Sequence, residues 1–244
     1  MKKLFILIVT GAVLAGCGKE NTLSTSISSA AFINASPGTP SFQILGDTMQ
    51  LTSTALALRA NSGYLGFTPG TRRIEVKSGT NNANSHINAT TQTFDQGSAY
   101  TYIVYDTLAG ATTATTGSLR FARLNDNLAL PNAGLVKVRF IHTAINAPAV
   151  DVTLLRTSAT TPDSVTISNA SYIGNTPNVN ALSTFSNIPA GTYSIRVKLA
   201  GTQTLALIPA PSATLTATQG IYTLFATGTA KGQPLSVGAF RNYP

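Results

Sequence analysis

Residues 191–201 read GTYSIRVKLAG. Ile195, Val197 and Leu199 fall on one side of an extended chain, with Arg196 and Lys198 on the other. A period of two means a β-strand with one buried and one wet face. A Pro-Ala-Gly turn at 189–191 precedes it. The stretch has a counterpart. TPGTRRIEVKSGT (68–80) lies over IPAGTYSIRVKLAGT (188–202), with Ile74 and Val76 opposing Arg73, Glu75 and Lys77. Three more pairs follow in the same order: FINASPGTPSFQI (32–44) over FIHTAINAPAVDV (140–152), GSAYTYIVYDT (97–107) over QGIYTLFATGT (219–229), and LRFARLND (119–126) over LSVGAFRN (235–242). Four ordered matches, each a little over a hundred residues apart, indicate a duplication. That length suits a complete small domain.

Composition agrees. Hydrophobic residues make up 43% and charged residues 10%, so the chain can bury real cores. With no Trp, 12 Pro and 20 Gly, it suits short strands joined by many turns. The fold class read here is all-β: two tandem immunoglobulin-like antiparallel β-sandwiches, over 29–132 and 133–244. The boundary falls at the linker-like Pro131-Asn132-Ala133-Gly134. Tyr222 follows the turn glycine Gly220 by two residues and opens a strand, a spacing that resembles the tyrosine corner of such sandwiches. Tyr100 sits one residue later after Gly97.

The first residues read MKKLFILIVTGAVLAGC. Lys2 and Lys3 precede an apolar run, Leu4 to Val13, that is too short for a resident span and right for a cleaved signal. Leu14-Ala15-Gly16-Cys17 resembles a bacterial lipobox. That resemblance makes 1–16 a signal peptide and Cys17 a lipidated N-terminus bearing several acyl chains, enough for stable anchoring. Polar residues 17–28 are a tether. Gly18 rather than Asp after the cysteine points to the outer membrane of a bacterial envelope, on either face. Cys17 is the single cysteine, so no intrachain disulfide forms.

The second copy resembles the domain of unknown function 4397, a bacterial extracytoplasmic module. The matching residues are Val138, Arg139, His142, Ala147, Pro148, Val150, Asp151 and Val152, with the Pro-Ala-Gly-Thr turn at 189–192. The first copy keeps Ala35-Ser36-Pro37 but has Asn34 for the histidine and Gln43 for the aspartate. The resemblance implies fold and compartment and carries no activity.

Strand alternation puts Val136, Val138, Phe140 and His142 on the core face, with Lys137, Arg139 and Ile141 opposite. His142 and Asn34 can both hold a loop backbone, but only the histidine can act as a general base. His142, Asn34 and Tyr222 are therefore read as loop-bracing residues, and Asp151 as solvent-facing. No catalytic residue, cofactor or metal site is assigned. His86 lies in a polar stretch, and no two of the eight acids are closer than Asp95 and Asp106. The charge is +8 with basic residues scattered, which argues against nucleic acid. The function that remains is a non-enzymatic envelope module, bound to the membrane through Cys17. It would meet a protein or glycan through loops at 78–92, 108–117 and 157–164, with Tyr64 and Tyr172 as sugar-stacking candidates. The alternative is an envelope hydrolase using His142 and Asp151.

Overall fold

The computed structural model describes residues 27–78, 80–107, 119–157, 163–207, 211–215, 220–229 and 232–242. The fold is an all-β sandwich arrangement. The first copy contains β1 (Ser28–Asn34), β2 (Gln43–Gly46), β3 (Met49–Gln50), β4 (Asn61–Phe67), β5 (Gly70–Ser78), β6 (Asn84–Phe94), β7 (Ala99–Tyr105) and β8 (Arg120–Asn125). The second contains β9 (Leu135–His142), β10 (Val150–Arg156), β11 (Asp163–Ala170), β12 (Ser186–Pro189), β13 (Gly191–Leu199), β14 (Ser212–Leu215), β15 (Ile221–Thr227) and β16 (Ser236–Arg241). A short α-helix, α1 (Val179–Leu182), precedes β12.

Each copy builds two four-stranded sheets. The orders are β4-β1-β7-β8 and β3-β2-β5-β6 in the first, β12-β9-β15-β16 and β11-β10-β13-β14 in the second. The ladders are antiparallel with one exception per copy. β1 runs parallel to β7, and β9 parallel to β15. The parallel pairing is not legible in the residues, because a strand's own pattern does not reveal its neighbour's direction.

The sheets containing β5 and β13 alternate as read. Ile74, Val76, Ile195 and Val197 are buried, while Arg196 is exposed. The central strands of the other two sheets are buried on both faces. In β1, β7, β9 and β15, the even-numbered Ala30, Phe32, Tyr102, Val138 and Leu224 point into their own copy's core. The odd-numbered Ala31, Ile33, Ile103, Tyr105, Ile141 and Phe225 form a third cluster shared by both copies. The two copies therefore stack sheet on sheet into four layers. Separating them would expose Ile33, Ile103, Leu124, Ile141 and Phe225, each worth about 1.5–3 kcal/mol of burial. Several such terms hold the copies together.

The shared layer is pseudo-symmetric, with complementary volumes. In the first copy Ile103 pairs across the ladder with Ala122. The equivalent pair in the second is Phe225 with Gly238, where a Cβ on the glycine would stand 2.3 Å from the phenylalanine ring. A large residue beside none at all replaces two of middling size. Arg139, assigned to a wet face by alternation alone, is 3% exposed because that face meets the first copy.

Stretch 78–92 also differs from the loop expected. Most of it is strand β6, an edge strand whose Ile87, Thr90, Thr91 and Thr93 suit a pleated surface despite the polar composition. Loop 108–117 and Cys17 lie outside the described residues, as does most of 157–164.

Candidate functional site

His142 ends β9 and is 1% exposed. Its Nε2 donates to the Pro148 carbonyl at 3.0 Å, and its Nδ1 accepts from the Ala144 N–H at 3.2 Å. Both nitrogens are occupied by one loop backbone, which fixes a neutral Nε2–H tautomer. Asn34 ends β1 in the same manner. Its Nδ2 donates to the Leu56 carbonyl at 2.9 Å, and its Oδ1 accepts from the Ser36 N–H at 3.0 Å. In both copies the acceptor atom takes the N–H two residues on, and the donor atom reaches a more distant carbonyl.

Asp151 uses its two oxygens elsewhere. Oδ1 accepts from the Asn169 N–H at 2.7 Å, and Oδ2 from the Gly201 N–H at 2.9 Å. These backbone hydrogen bonds hold the carboxyl below its ordinary value. His142 and Asp151 thus engage separate backbone groups and share no hydrogen bond.

Burial pushes the His142 imidazole below its ordinary value, with the Pro148 contact opposing. As pH falls the unfolded chain takes up that proton first. Stability is then full above about pH 6.5 and declines as pH drops through that value, until the folded imidazole also protonates. His86 is lowered by burial as well and acts in the same direction. His142→Asn is expected to keep the fold, cost about 1 kcal/mol at pH 7.5, and flatten part of the stability loss between pH 6.5 and 5. Urea unfolding across pH checks this. An unfolded Asn variant would show that Asn34 is a poor guide to position 142.

Tyr222 is buried in the second core, and its ring folds back over Gly220. A Cβ at Gly220 would stand 2.3 Å from that ring, so the turn residue has to be glycine. The hydroxyl bond to the preceding corner is seen at Tyr100. Its OH donates to Asp95 Oδ2 at 2.8 Å and accepts from the Asp95 N–H at 3.2 Å. The guanidinium of Arg123 lies 4.0 Å above the Tyr100 ring.

Tyr64 and Tyr172 are not flat exposed platforms. Both lie against the layer between the copies. Tyr64 belongs to a buried polar network that sequence reading missed. Arg139 Nη2 donates to Asp126 Oδ1 at 2.7 Å, with side chains 2% and 0% exposed. Asp126 Oδ2 accepts from the hydroxyls of Tyr64 and Thr101, each at 2.6 Å. Arg139 Nε donates to the Thr223 hydroxyl at 2.9 Å, which donates to Asn242 Oδ1 at 2.6 Å. Asn242 Nδ2 donates back to Thr101 Oγ1 at 3.0 Å and Tyr64 OH at 3.1 Å. Thr101 matches Thr223 in the repeat, and Asp126 matches Asn242. The network therefore spans both copies through equivalent positions. Burial draws the Asp126 carboxyl up and the Arg139 guanidinium down, and their pairing pushes each back. Burial also raises the Tyr64 hydroxyl strongly, with the Asp126 charge adding to it.

His86 sits on β6, and its Nε2 lies 2.6 Å from Ser78 Oγ. Among the described residues no carboxylate orients this imidazole, and Ser78 is 3% exposed. Among the described residues no group of three or more His, Cys, Asp or Glu side chains converges.

Openings among the described residues include two. A cleft of about 780 Å³ lies beside the start of β1, lined by Ile27, Tyr64, Gly66, Ser98, Asp126 and Leu128 among others. A smaller pocket of about 230 Å³ lies at the β5–β6 turn, lined by Gln43, Gln50, Ser78, Asn81 and Asn82.

A family model described as "Domain of unknown function (DUF4397)" matches residues 28–153, which take in the first sandwich, β9 and the start of β10. No curated protein matches the chain. Among solved structures, the chain is similar to a leucine-rich repeat protein from Bacteroides thetaiotaomicron, at 11% identity and a TM-score of 0.22. That likeness covers 88% of this chain but only 25% of the other protein.

Proposed function

The chain belongs to the family of the domain of unknown function DUF4397, and from that premise we propose a lipid-anchored, non-enzymatic binding module of the bacterial cell envelope. Cys17 carries the acyl chains, the leash runs from residue 18 and ends before Ser28, which the structure places in β1 instead of the tether, and the stacked copies are the body. A protein or a glycan is its partner. The outer membrane is the compartment proposed, from Gly18 after the cysteine. Among the described residues no helix is long and apolar enough to cross a membrane.

The observation that carries this reading is how the polar side chains are used. His142, Asn34 and Asp151 fasten backbone turns. Asp126, Arg139, Thr223 and Asn242 fasten one copy to the other. A general base has to be free to take a proton from a substrate, whereas these groups stiffen a scaffold that presents its ends. The hydrolase alternative would rest on His142 and Asp151, which are engaged with separate backbone groups.

Metabolic labelling with an alkyne fatty acid tests the anchor. The wild-type chain is expected to incorporate label and sediment with membranes. Cys17→Ala is expected to lose the label and accumulate as unprocessed precursor. Unchanged labelling in Cys17→Ala would overturn the lipidation site.

A further inference from the structure

The two copies differ at the corner that holds Gln43 in the first and Asp151 in the second. In the second, Asp151 ties the end of β11 to the turn after β13 by accepting from the Asn169 and Gly201 N–H groups. The first copy has Gln43 at the equivalent position, and there a pocket of about 230 Å³ stays open. Four of the residues around it, Gln43, Gln50, Asn81 and Asn82, carry carboxamides, and none carries a charge.

Part of this set is occupied. Gln43 bonds to Thr52, and Gln50 Nε2 donates to the Thr52 carbonyl at 2.8 Å. Asn82 Nδ2 reaches Gln50 Oε1 at 3.4 Å. Asn82 Oδ1 and, among the described residues, the whole Asn81 amide take no partner. Asn81 and Asn82 both hold positive φ, 55° and 56°. Two successive residues in that region cost backbone energy and present their amides at the rim.

The pocket also lies far from the tether. Ile27 and Ser28 stand at the β4-end of the first sandwich, since Ser28 pairs with Phe67 and Phe67 stacks on Phe94. β5 begins beside Phe94 at Gly70 and runs to Ser78. Eight steps at about 3.3 Å each put the pocket roughly 26 Å from that end. A body hung from its N-terminus would turn this corner away from the membrane.

We propose that this corner binds one neutral, polyhydroxylated ring of an envelope glycan. Each sugar hydroxyl both donates and accepts, and a carboxamide offers the same pair of functions on adjacent atoms. A charged ligand would find no counter-charge in the lining. The volume is below the range for drug-sized ligands and admits a single ring. The proposal rests on the binding-module reading and names the ligand class for it.

Saturation-transfer NMR tests it on the folded full-length body with methyl glycosides of glucose, galactose, mannose and N-acetylglucosamine, and with glucuronate as the charged comparison. The double variant Asn81→Gly/Asn82→Gly removes both amides while glycine keeps the positive φ without strain. Ser98→Phe fills the larger cleft at the tether end instead. The expected result is saturable transfer to at least one neutral glycoside, at least tenfold weaker binding in the double glycine variant, and no change in Ser98→Phe. Binding that survives the double variant, or is lost in Ser98→Phe, would overturn this site while leaving a glycan partner standing. Stronger binding of glucuronate would overturn the neutral class. A folded protein that takes none of the neutral glycosides would overturn the inference and leave the module with a protein partner.

Discussion

Arg139→Ala is expected to be among the most destabilising single substitutions in the chain, at about 3–5 kcal/mol. The reason is what it leaves behind. Asp126 would keep a fully buried carboxylate with only the Tyr64 and Thr101 hydroxyls to hold it. Thr223 would lose the donor at its hydroxyl, and the Phe185 ring would lose the guanidinium 4.4 Å above it. The repeat supplies the control. Arg139 is matched by Ala31 in the first copy, and Asp126 by Asn242 in the second. Arg139→Ala with Asp126→Asn therefore writes into each copy the residue the other already uses. The double variant is expected to be clearly more stable than Arg139→Ala alone, because no charge is left buried without a partner. Urea unfolding of the two single variants and the double gives the coupling energy. Purely additive losses would mean that the pair does not hold the copies together.

Phe225→Ala is the second large effect, also about 3–5 kcal/mol, from lost burial plus the cavity left. Phe225 is fully buried in the shared layer, over the bare backbone of Gly238. Its rescue again comes from the other copy. Phe225→Ile with Gly238→Ala reproduces the Ile103–Ala122 pair and roughly conserves volume. That double variant should recover most of the loss in urea or thermal unfolding, while Gly238→Ala alone should destabilise by overpacking. Failure of the pair to rescue would mean that the two halves of the shared layer are not equivalent.

The residues that lend themselves to these swaps show what the sequence made readable. The outer sheets were legible because β5 and β13 alternate, with charges on the wet face. The duplication was legible as well, since a repeat is a pattern along the chain. The stacking of the copies was not. On β9 the shared face carries Arg139 as well as Ile141, and on β15 it carries Thr223 and Thr227 around Phe225. Polar residues on such a face look like a wet side until the partner face is known. A signal was present in YTYIVY (100–105) and IYTLFAT (221–227), which are nearly continuous apolar runs. Runs of that kind belong to strands buried on both sides. The candidate sites divide in the same way. His142 and Asn34 could be paired through the repeat. The amide corner needed space, because Gln43, Gln50 and Asn82 meet only across the β2–β3 and β5–β6 turns.

Native-state hydrogen exchange read by mass spectrometry bears most directly on the central claim, that the two copies are locked into one body through the odd-numbered face. Amides of 99–105 and 221–227 should show similar, high protection in the wild type, and Arg139→Ala should speed exchange in both segments together. Loosening confined to the second copy, with 99–105 as protected as before, would contradict it.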